Sequence, residues 1–255
     1  ISTGLRENKF GIHMDEALSL YLQAAEMENV RITGVDCHIG SQLTRLDPFL
    51  DALDRVLALV DRLERRGIAI DHLDIGGGLG IDYASENVPP ISAFTEAIKS
   101  HLGDRRIKLL IEPGRSIVGN SAVLLTEVEY IKPSETKNFA IVDAGMNDLI
   151  RPTLYSAWQE IITVNETSPA SAQTYDIVGP VCETGDFLGK DRQLAIAQGD
   201  YLAVLAAGGY GFTMSSNYNT RPRAREILCD GDQAHVIRQR ESITSLINGE
   251  FIPDI

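Results

Sequence analysis

Apolar positions follow two different spacings along this 255-residue chain. Between Asp47 and Gly67 they recur every three or four residues, so that Phe49, Leu50, Leu53, Val56, Leu57, Val60 and Leu63 fall on one face of a helix. Asp47 suits the cap of that helix, Pro48 its first turn and Gly67 its stop. On the polar side, Asp51/Arg55 and Asp61/Arg65 stand four apart, where opposite charges pair. Residues 15–28 and 93–102 carry the same period, the second opened by Ser92 and closed by Gly103. Short apolar runs without it, at 32–37, 69–75 and 107–111, predict buried strands, and a further strand is expected near 9–12. The resulting rhythm is four strands with three intervening helices.

Past Arg115 the pattern changes. Stretches 123–131, 139–143, 175–178, 193–197, 200–205, 224–229 and 235–240 are short and β-like, split by Gly, Pro, Asn and Asp. They predict a mostly antiparallel β domain with one helix near 153–161. The boundary falls near 116–122, which gives residues 1–118 as the β/α part and 119–255 as the β domain. A complete (β/α)8 barrel takes about 250 residues, so four units make half of one. The expected fold class is therefore α/β followed by β: the C-terminal half of a TIM-type barrel, then an antiparallel β-barrel or sandwich. Half a barrel has open parallel edges, and the chain begins with Ile1 rather than Met. An N-terminal half is accordingly expected ahead of it.

Composition narrows the classes. Apolar residues at 44% and charged ones at 23% suit a globular chain rather than a disordered one. The net charge of −13, with no basic stripe, argues against a nucleic-acid partner. Cys37, Cys182 and Cys229 are far apart and form no CxxC pair, so neither a disulfide framework nor a metal site is expected. No apolar run approaches about 18 residues and the opening hexapeptide is no signal peptide, so a cytoplasmic protein without a membrane partner is expected.

The chemistry collects where apolar runs end. His38 and Ser41 follow the run at 32–37; Gly76, Gly77, Gly78 and Gly80 follow that at 69–75; Glu112, Pro113, Gly114 and Arg115 follow that at 107–111. Strand C-termini form the rim on which β/α barrels build active sites. Consecutive glycines can converge main-chain N–H groups on a phosphate, or simply form a turn. Glu112 and Arg115 can meet a ligand or pair with each other, and His38 can handle a proton or be a satisfied core histidine. In the β domain, Val181-Cys182-Glu183-Thr184-Gly185-Asp186 joins a thiol to two carboxylates in one turn, which can equally be a plain turn with a buried cysteine. Gly208-Gly209-Tyr210-Gly211-Phe212 presents one tyrosine or forms a hairpin. Arg151, before Tyr155, can fork onto a carboxylate or sit on the surface of a helix start.

At these residues the chain resembles the fold-type III pyridoxal-phosphate decarboxylases. HIGSQ, GGGLG, EPGR, CETGD and GYGF occur in the order that family has them, from about Gly4 to Gly249. NDLIRPTLY at 147–155 and NYNTRPRARE at 217–226 resemble the branch acting on meso-diaminopimelate. The resemblance implies a pyridoxal 5′-phosphate cofactor, conversion of meso-2,6-diaminopimelate to L-lysine and CO2, and a head-to-tail homodimer with shared sites. It implies that Gly76, Gly77, Gly78 and Gly80 cradle the phosphate with Ser41, Arg115 and Tyr210, beside Pro113 and Gly114. It implies that His38 stacks on the pyridine and Glu112 pairs with its nitrogen. Arg115, Arg151, Tyr155 and Tyr210 would lie at the substrate, Glu183 would face its distal ammonium, and Cys182 would reprotonate Cα. The family's cofactor-anchoring lysine, in a Tyr-x-x-Lys-Ala-Asn-type motif, has no match here, and Lys9 matches a different segment. The chain as written is therefore expected to be inactive. A decarboxylase of another basic amino acid or a carboxylated polyamine, and a non-catalytic cofactor-binding homologue, remain the alternatives.

Overall fold

The computed structural model describes residues 9–84, 87–165 and 169–254, so the opening hexapeptide and the start of the resemblance at Gly4 lie outside the described residues. The chain divides into two compact units, Ile1–Val118 and Gly119–Ile255.

In the first unit, strands β1 (Gly34–Asp36), β2 (His72–Asp74) and β3 (Lys108–Leu110) form a parallel sheet in that order. Gly34, His72 and Lys108 stand in register, as do Asp36, Asp74 and Leu110. Helices α1 (Met14–Ala25), α2 (Asp47–Glu64) and α3 (Ile91–Leu102) fill the connections, and α4 (Gly114–Val118) follows β3. Helix α2 buries Phe49, Leu53, Val56, Leu57, Leu59, Val60 and Leu63, each fully buried side chain contributing roughly 1.5–3 kcal/mol. These pack with Leu73 and Ile75 from the sheet and with Phe94 and Ile98 of α3. The Phe49 and Phe94 rings meet edge to face with centroids 5.0 Å apart. Four expectations fail here, the first being the helix start at Ser92: Pro90 takes that N-cap and α3 begins at Ile91. Residues 9–12 form no strand, because Gly11 turns the chain at φ 66° and leaves Phe10 and Ile12 exposed. Leu46 rather than Asp47 occupies the N-cap, and the Asp47 carboxylate accepts a bond from Arg45. Asp61 takes both guanidinium nitrogens of Arg105, at 2.6 and 3.1 Å, leaving Arg65 a weaker charge nearby.

The second unit is built on a mixed six-stranded sheet. Its strands are β4 (Leu124–Lys132), β5 (Asn138–Val142), β6 (Ile161–Thr163), β7 (Gln173–Val178), β8 (Phe187–Leu194) and β9 (Tyr201–Val204). They run in the order β6-β9-β4-β5-β7-β8, and only β5 and β7 are parallel neighbours. The edge strands β6 and β8 touch, so the sheet curls nearly into a barrel. Alternating side chains fill it: Val128, Ala140, Val142, Ile177, Leu188, Leu202 and Val204 are fully buried. A separate hairpin, β10 (Glu226–Asp230) with β11 (Gln233–Arg238), precedes the short helix α6 (Ile243–Leu246); α5 (Arg151–Tyr155) lies between β5 and β6.

The helix expected near 153–161 is thus shorter and earlier. Ser156 turns left-handed at φ 51° and ends α5, which frees 161–163 to become a strand. The strand expected at 193–197 is centred too late. Strand β8 starts at Phe187 and carries Lys190, Asp191 and Arg192, whose charges hide its alternation. Arg192 is buried even so, its guanidinium carbon 3.1 Å from the centroid of the Trp158 ring.

Candidate active site

In the first unit the sheet ends hold three loaded segments together by main chain. The Cys37 N–H donates to the Asp74 carbonyl at 3.0 Å, and the Glu112 N–H to the Gly76 carbonyl at 2.8 Å. Leu43 and Leu79 form a parallel bridge, closed by Leu43 N–H to Gly78 O at 2.8 Å and Gly80 N–H to Leu43 O at 3.0 Å. Gln42 laces the same segments, donating to the Ile81 carbonyl at 2.6 Å and accepting the Ile81 N–H at 3.2 Å.

The glycines make this approach possible. A Cβ on Gly76 would stand 2.5 Å from the Cys37 carbonyl oxygen, one on Gly77 2.1 Å from that of Glu112, and one on Gly78 2.2 Å from that of Gly40. Gly76 and Gly78 also take positive φ, 71° and 98°, which L-residues resist. The N–H groups of Gly76 and Gly77 are engaged within the chain, donating to Asp74 Oδ1 at 2.8 Å and His38 Nδ1 at 3.2 Å. The glycine loop therefore contributes close main-chain packing and space free of side chains more than an array of open donors.

Arg115 lies in α4 after Pro113 and Gly114, and it is buried. Its Nη2 donates to Ser41 Oγ at 3.0 Å and its Nη1 to the Tyr83 hydroxyl. Two hydroxyls thus orient a buried guanidinium. His38 and Glu112 stand exposed at the ends of β1 and β3. Cys37 is a different kind of group: burial, with Asp36 and Asp74 nearby, pushes its thiol up to about 11. Tyr83 is the functional group that the sequence reading missed. It follows the glycines in a stretch without hydrophobic period, and no spacing marks it.

In the second unit Arg151 and Tyr155 occupy the two ends of α5, the first buried and the second exposed. Cys182 and Glu183 are exposed on the turn between β7 and β8. Glu183 is held there, its Oε1 accepting the Gly185 N–H at 3.1 Å and its own N–H donating to the Val181 carbonyl at 2.8 Å. Tyr210 takes a left-handed φ of 63° and is exposed. The two branch-specific segments meet: Arg221 donates to Asn147 Oδ1 at 2.8 Å and to the Asp143 carbonyl at 2.6 Å. Asp148, 3.8 Å from Arg221, has its carboxyl raised chiefly by burial. Arg223 and Asn217 both bind Glu241, and those hydrogen bonds hold the Glu241 carboxyl below the usual range.

Among the described residues no group of three or more His, Cys, Asp or Glu side chains is placed to hold a metal ion. No helix among them is long and apolar enough to cross a membrane.

A parallel β/α unit whose strand ends gather a glycine cradle, a buried arginine, a histidine and a glutamate, followed by a β unit, defines a class. Residues 1–119 match the pyridoxal-dependent decarboxylases in their pyridoxal binding domain. In those enzymes that domain is the one that binds the pyridoxal cofactor.

Over its whole length the chain is similar to diaminopimelate decarboxylases. The chain is 60% identical to that of Pseudomonas aeruginosa over 252 residues, 99% of this chain and 60% of the relative. It is 42% identical to that of Archaeoglobus fulgidus, over 100% of this chain and 62% of the relative. The crystal structure of the Helicobacter pylori diaminopimelate decarboxylase complexed with L-lysine superposes with a TM-score of 0.90 at 40% identity, covering 97% of this chain and 61% of that one. The Vibrio vulnificus lysine/ornithine decarboxylase complexed with cadaverine gives 0.77 at 26% identity, covering 86% and 60%. The chain thus spans about three fifths of the length of the relatives it matches.

Proposed function

We propose that this chain supplies most of the cofactor and substrate shell of a carboxy-lyase that converts meso-2,6-diaminopimelate to L-lysine and CO2, the last step of lysine biosynthesis. The observation that carries the reading is the 60% identity to a diaminopimelate decarboxylase, which runs through both units. The weaker likeness to the lysine/ornithine enzyme disfavours another basic amino acid as substrate.

The donor set fits the cofactor. A buried guanidinium oriented by Ser41 and Tyr83 suits a phosphate dianion. Gly76, Gly77, Gly78 and Gly80 keep side chains out of the space beside it, and Pro113 and Gly114 lead into Arg115. His38 would lie against the pyridine ring, and Glu112 would hold a proton on its nitrogen. Bound, the cofactor supplies an electron sink for the pair left when CO2 departs. Arg151 and Tyr155 would grip the carboxylate that stays, and Glu183 would draw the distal ammonium. The Sγ–H of Cys182 then delivers its proton to the carbon that lost CO2, and the thiolate is reprotonated from solvent.

No residue here matches the family's anchoring lysine, so turnover is proposed for the longer protein alone. In that protein Cys182 and Glu183 are proposed to complete the site of a second copy, in the cytoplasm. Residues 1–118 would serve as the cofactor-binding half-barrel and 119–255 as the substrate-binding β domain.

The test is CO2 release by the full-length protein with meso-diaminopimelate, ornithine, arginine and lysine. The first is expected to give the highest kcat/KM, and preference for any other would sink the proposal. A protein that binds the cofactor and releases CO2 from none of the four is the non-catalytic homologue. Cys182→Ala is expected to slow lysine formation about 100-fold or more with cofactor affinity unchanged; equal loss of both would remove the proton-donor role.

A further inference from the structure

Asp186 follows the turn that carries Cys182 and Glu183, and only 3% of it is exposed. Its two oxygens are divided between two segments. Oδ1 accepts the Met146 N–H at 2.6 Å, and Oδ2 accepts the Val181 N–H at 2.7 Å. Its main chain closes the turn as well, with Gly179 N–H to Asp186 O at 3.1 Å and Asp186 N–H to Glu183 O at 3.0 Å. From α5, two residues after Arg151, Thr153 Oγ1 donates to the Gly185 carbonyl at 2.5 Å. The carboxylate is tightly enclosed: a Cβ on Gly179 would stand 2.4 Å from Oδ2, and one on Gly145 3.3 Å from Oδ1.

Burying a carboxylate is costly unless donors meet it. Here both donors are main-chain N–H groups from segments far apart in sequence, and bonds to an ionised acceptor are roughly twice as strong as neutral ones. The Met146 segment leads directly into Arg151, and the Val181 segment into Cys182. One buried carboxylate therefore ties the base of the turn to the base of the helix.

We propose that Asp186, assisted by Thr153, is a positioning residue that fixes the Cys182–Glu183 turn against the segment presenting Arg151 and Tyr155. The inference rests on the decarboxylase reading for what the turn does, though not for how it is held. Asparagine cannot replace it, because both oxygens face N–H donors and an amide would turn its own NH2 toward one of them.

The experiment compares Asp186→Asn and Thr153→Val with the wild type in the full-length protein, by amide hydrogen exchange and by kinetics. In Asp186→Asn the amides of Met146 and Val181 should exchange about 10- to 100-fold faster, while protection in β4 and β5 is kept. Lysine formation should fall with cofactor affinity unchanged. Unchanged exchange at both amides, or an equal rise throughout the β unit, would overturn the proposal. Should Asp186→Asn not fold, Thr153→Val decides: exchange in the 181–186 turn should rise about three- to tenfold for one lost neutral bond, and an unchanged turn overturns the role. A wild type that releases no CO2 from diaminopimelate defeats the decarboxylase reading, and the exchange result still judges the pin.

Discussion

A methyl group on Gly77 of the β/α unit would stand 2.1 Å from the Glu112 carbonyl oxygen; one on Gly209 of the β unit would come no nearer than 3.4 Å, to the Gly119 Cα. The first unit sets its chemistry by pressing strand ends together, main chain on main chain, with glycine as the condition. The second holds most of its chemical groups on turns and a five-residue helix, tied by side chains such as Asp186, Thr153 and Arg221, and uses such a main-chain approach beside Tyr210, where a Cβ on Gly211 would stand 2.2 Å from the Ala207 carbonyl oxygen. A carbonyl against a strand end cannot yield without moving the sheet, whereas a polar tie can be lost locally. The two regions should therefore fail differently when mutated.

The largest expected effect is Gly77→Ala. Its Cβ can be housed only by displacing the end of β3, so a loss of about 3 kcal/mol is expected, at the upper end of overpacking costs. Urea unfolding of the full-length protein measures it, and a loss below about 1 kcal/mol would break the contrast. An intermediate effect concerns the thiols. Cys37 has its folded value raised to about 11, so at pH 8 only about a thousandth of it is thiolate. Exposed Cys182 and Cys229 should alkylate at that pH, with Cys37 protected. Because the raised value belongs to the folded state, the unfolded chain gives up that proton first. The Cys37 contribution to stability is present below about 8.5 and is lost as pH rises toward about 11. Peptide-resolved alkylation between about pH 7 and 11 checks this. The smallest effect is Gly209→Ala. Its site offers ordinary contact and no positive φ, so stability should change by less than about 0.5 kcal/mol. A larger loss would show that the β unit also depends on close main-chain approach there.

The same contrast explains what could be read in advance. Glycines and charges at the ends of apolar runs are conspicuous, so the three strand-end clusters were legible, as was the apolar face of α2. Tyr83 was not, because nothing in its polar stretch distinguishes a hydroxyl that meets Arg115 from a solvated one. Asp186 was visible as one carboxylate of a turn, but its burial depends on Met146, 40 residues away. The helix expected at 153–161 failed on one left-handed residue, Ser156, and β8 was misplaced because Arg192 hides its charge against Trp158. Long-range polar contacts leave no periodic trace.

Arg115 is proposed to serve the cofactor phosphate and Arg151 the substrate. The most direct test is titration of pyridoxal 5′-phosphate into the full-length Arg115→Lys and Arg151→Lys proteins, with KM measured for meso-diaminopimelate. Arg115→Lys loses the fork onto Ser41 and Tyr83, so its cofactor affinity should fall about 10-fold or more. Arg151→Lys should bind the cofactor as the wild type does and raise KM by a similar factor. Equal loss of cofactor by both variants, or loss by Arg151→Lys alone, would contradict the account.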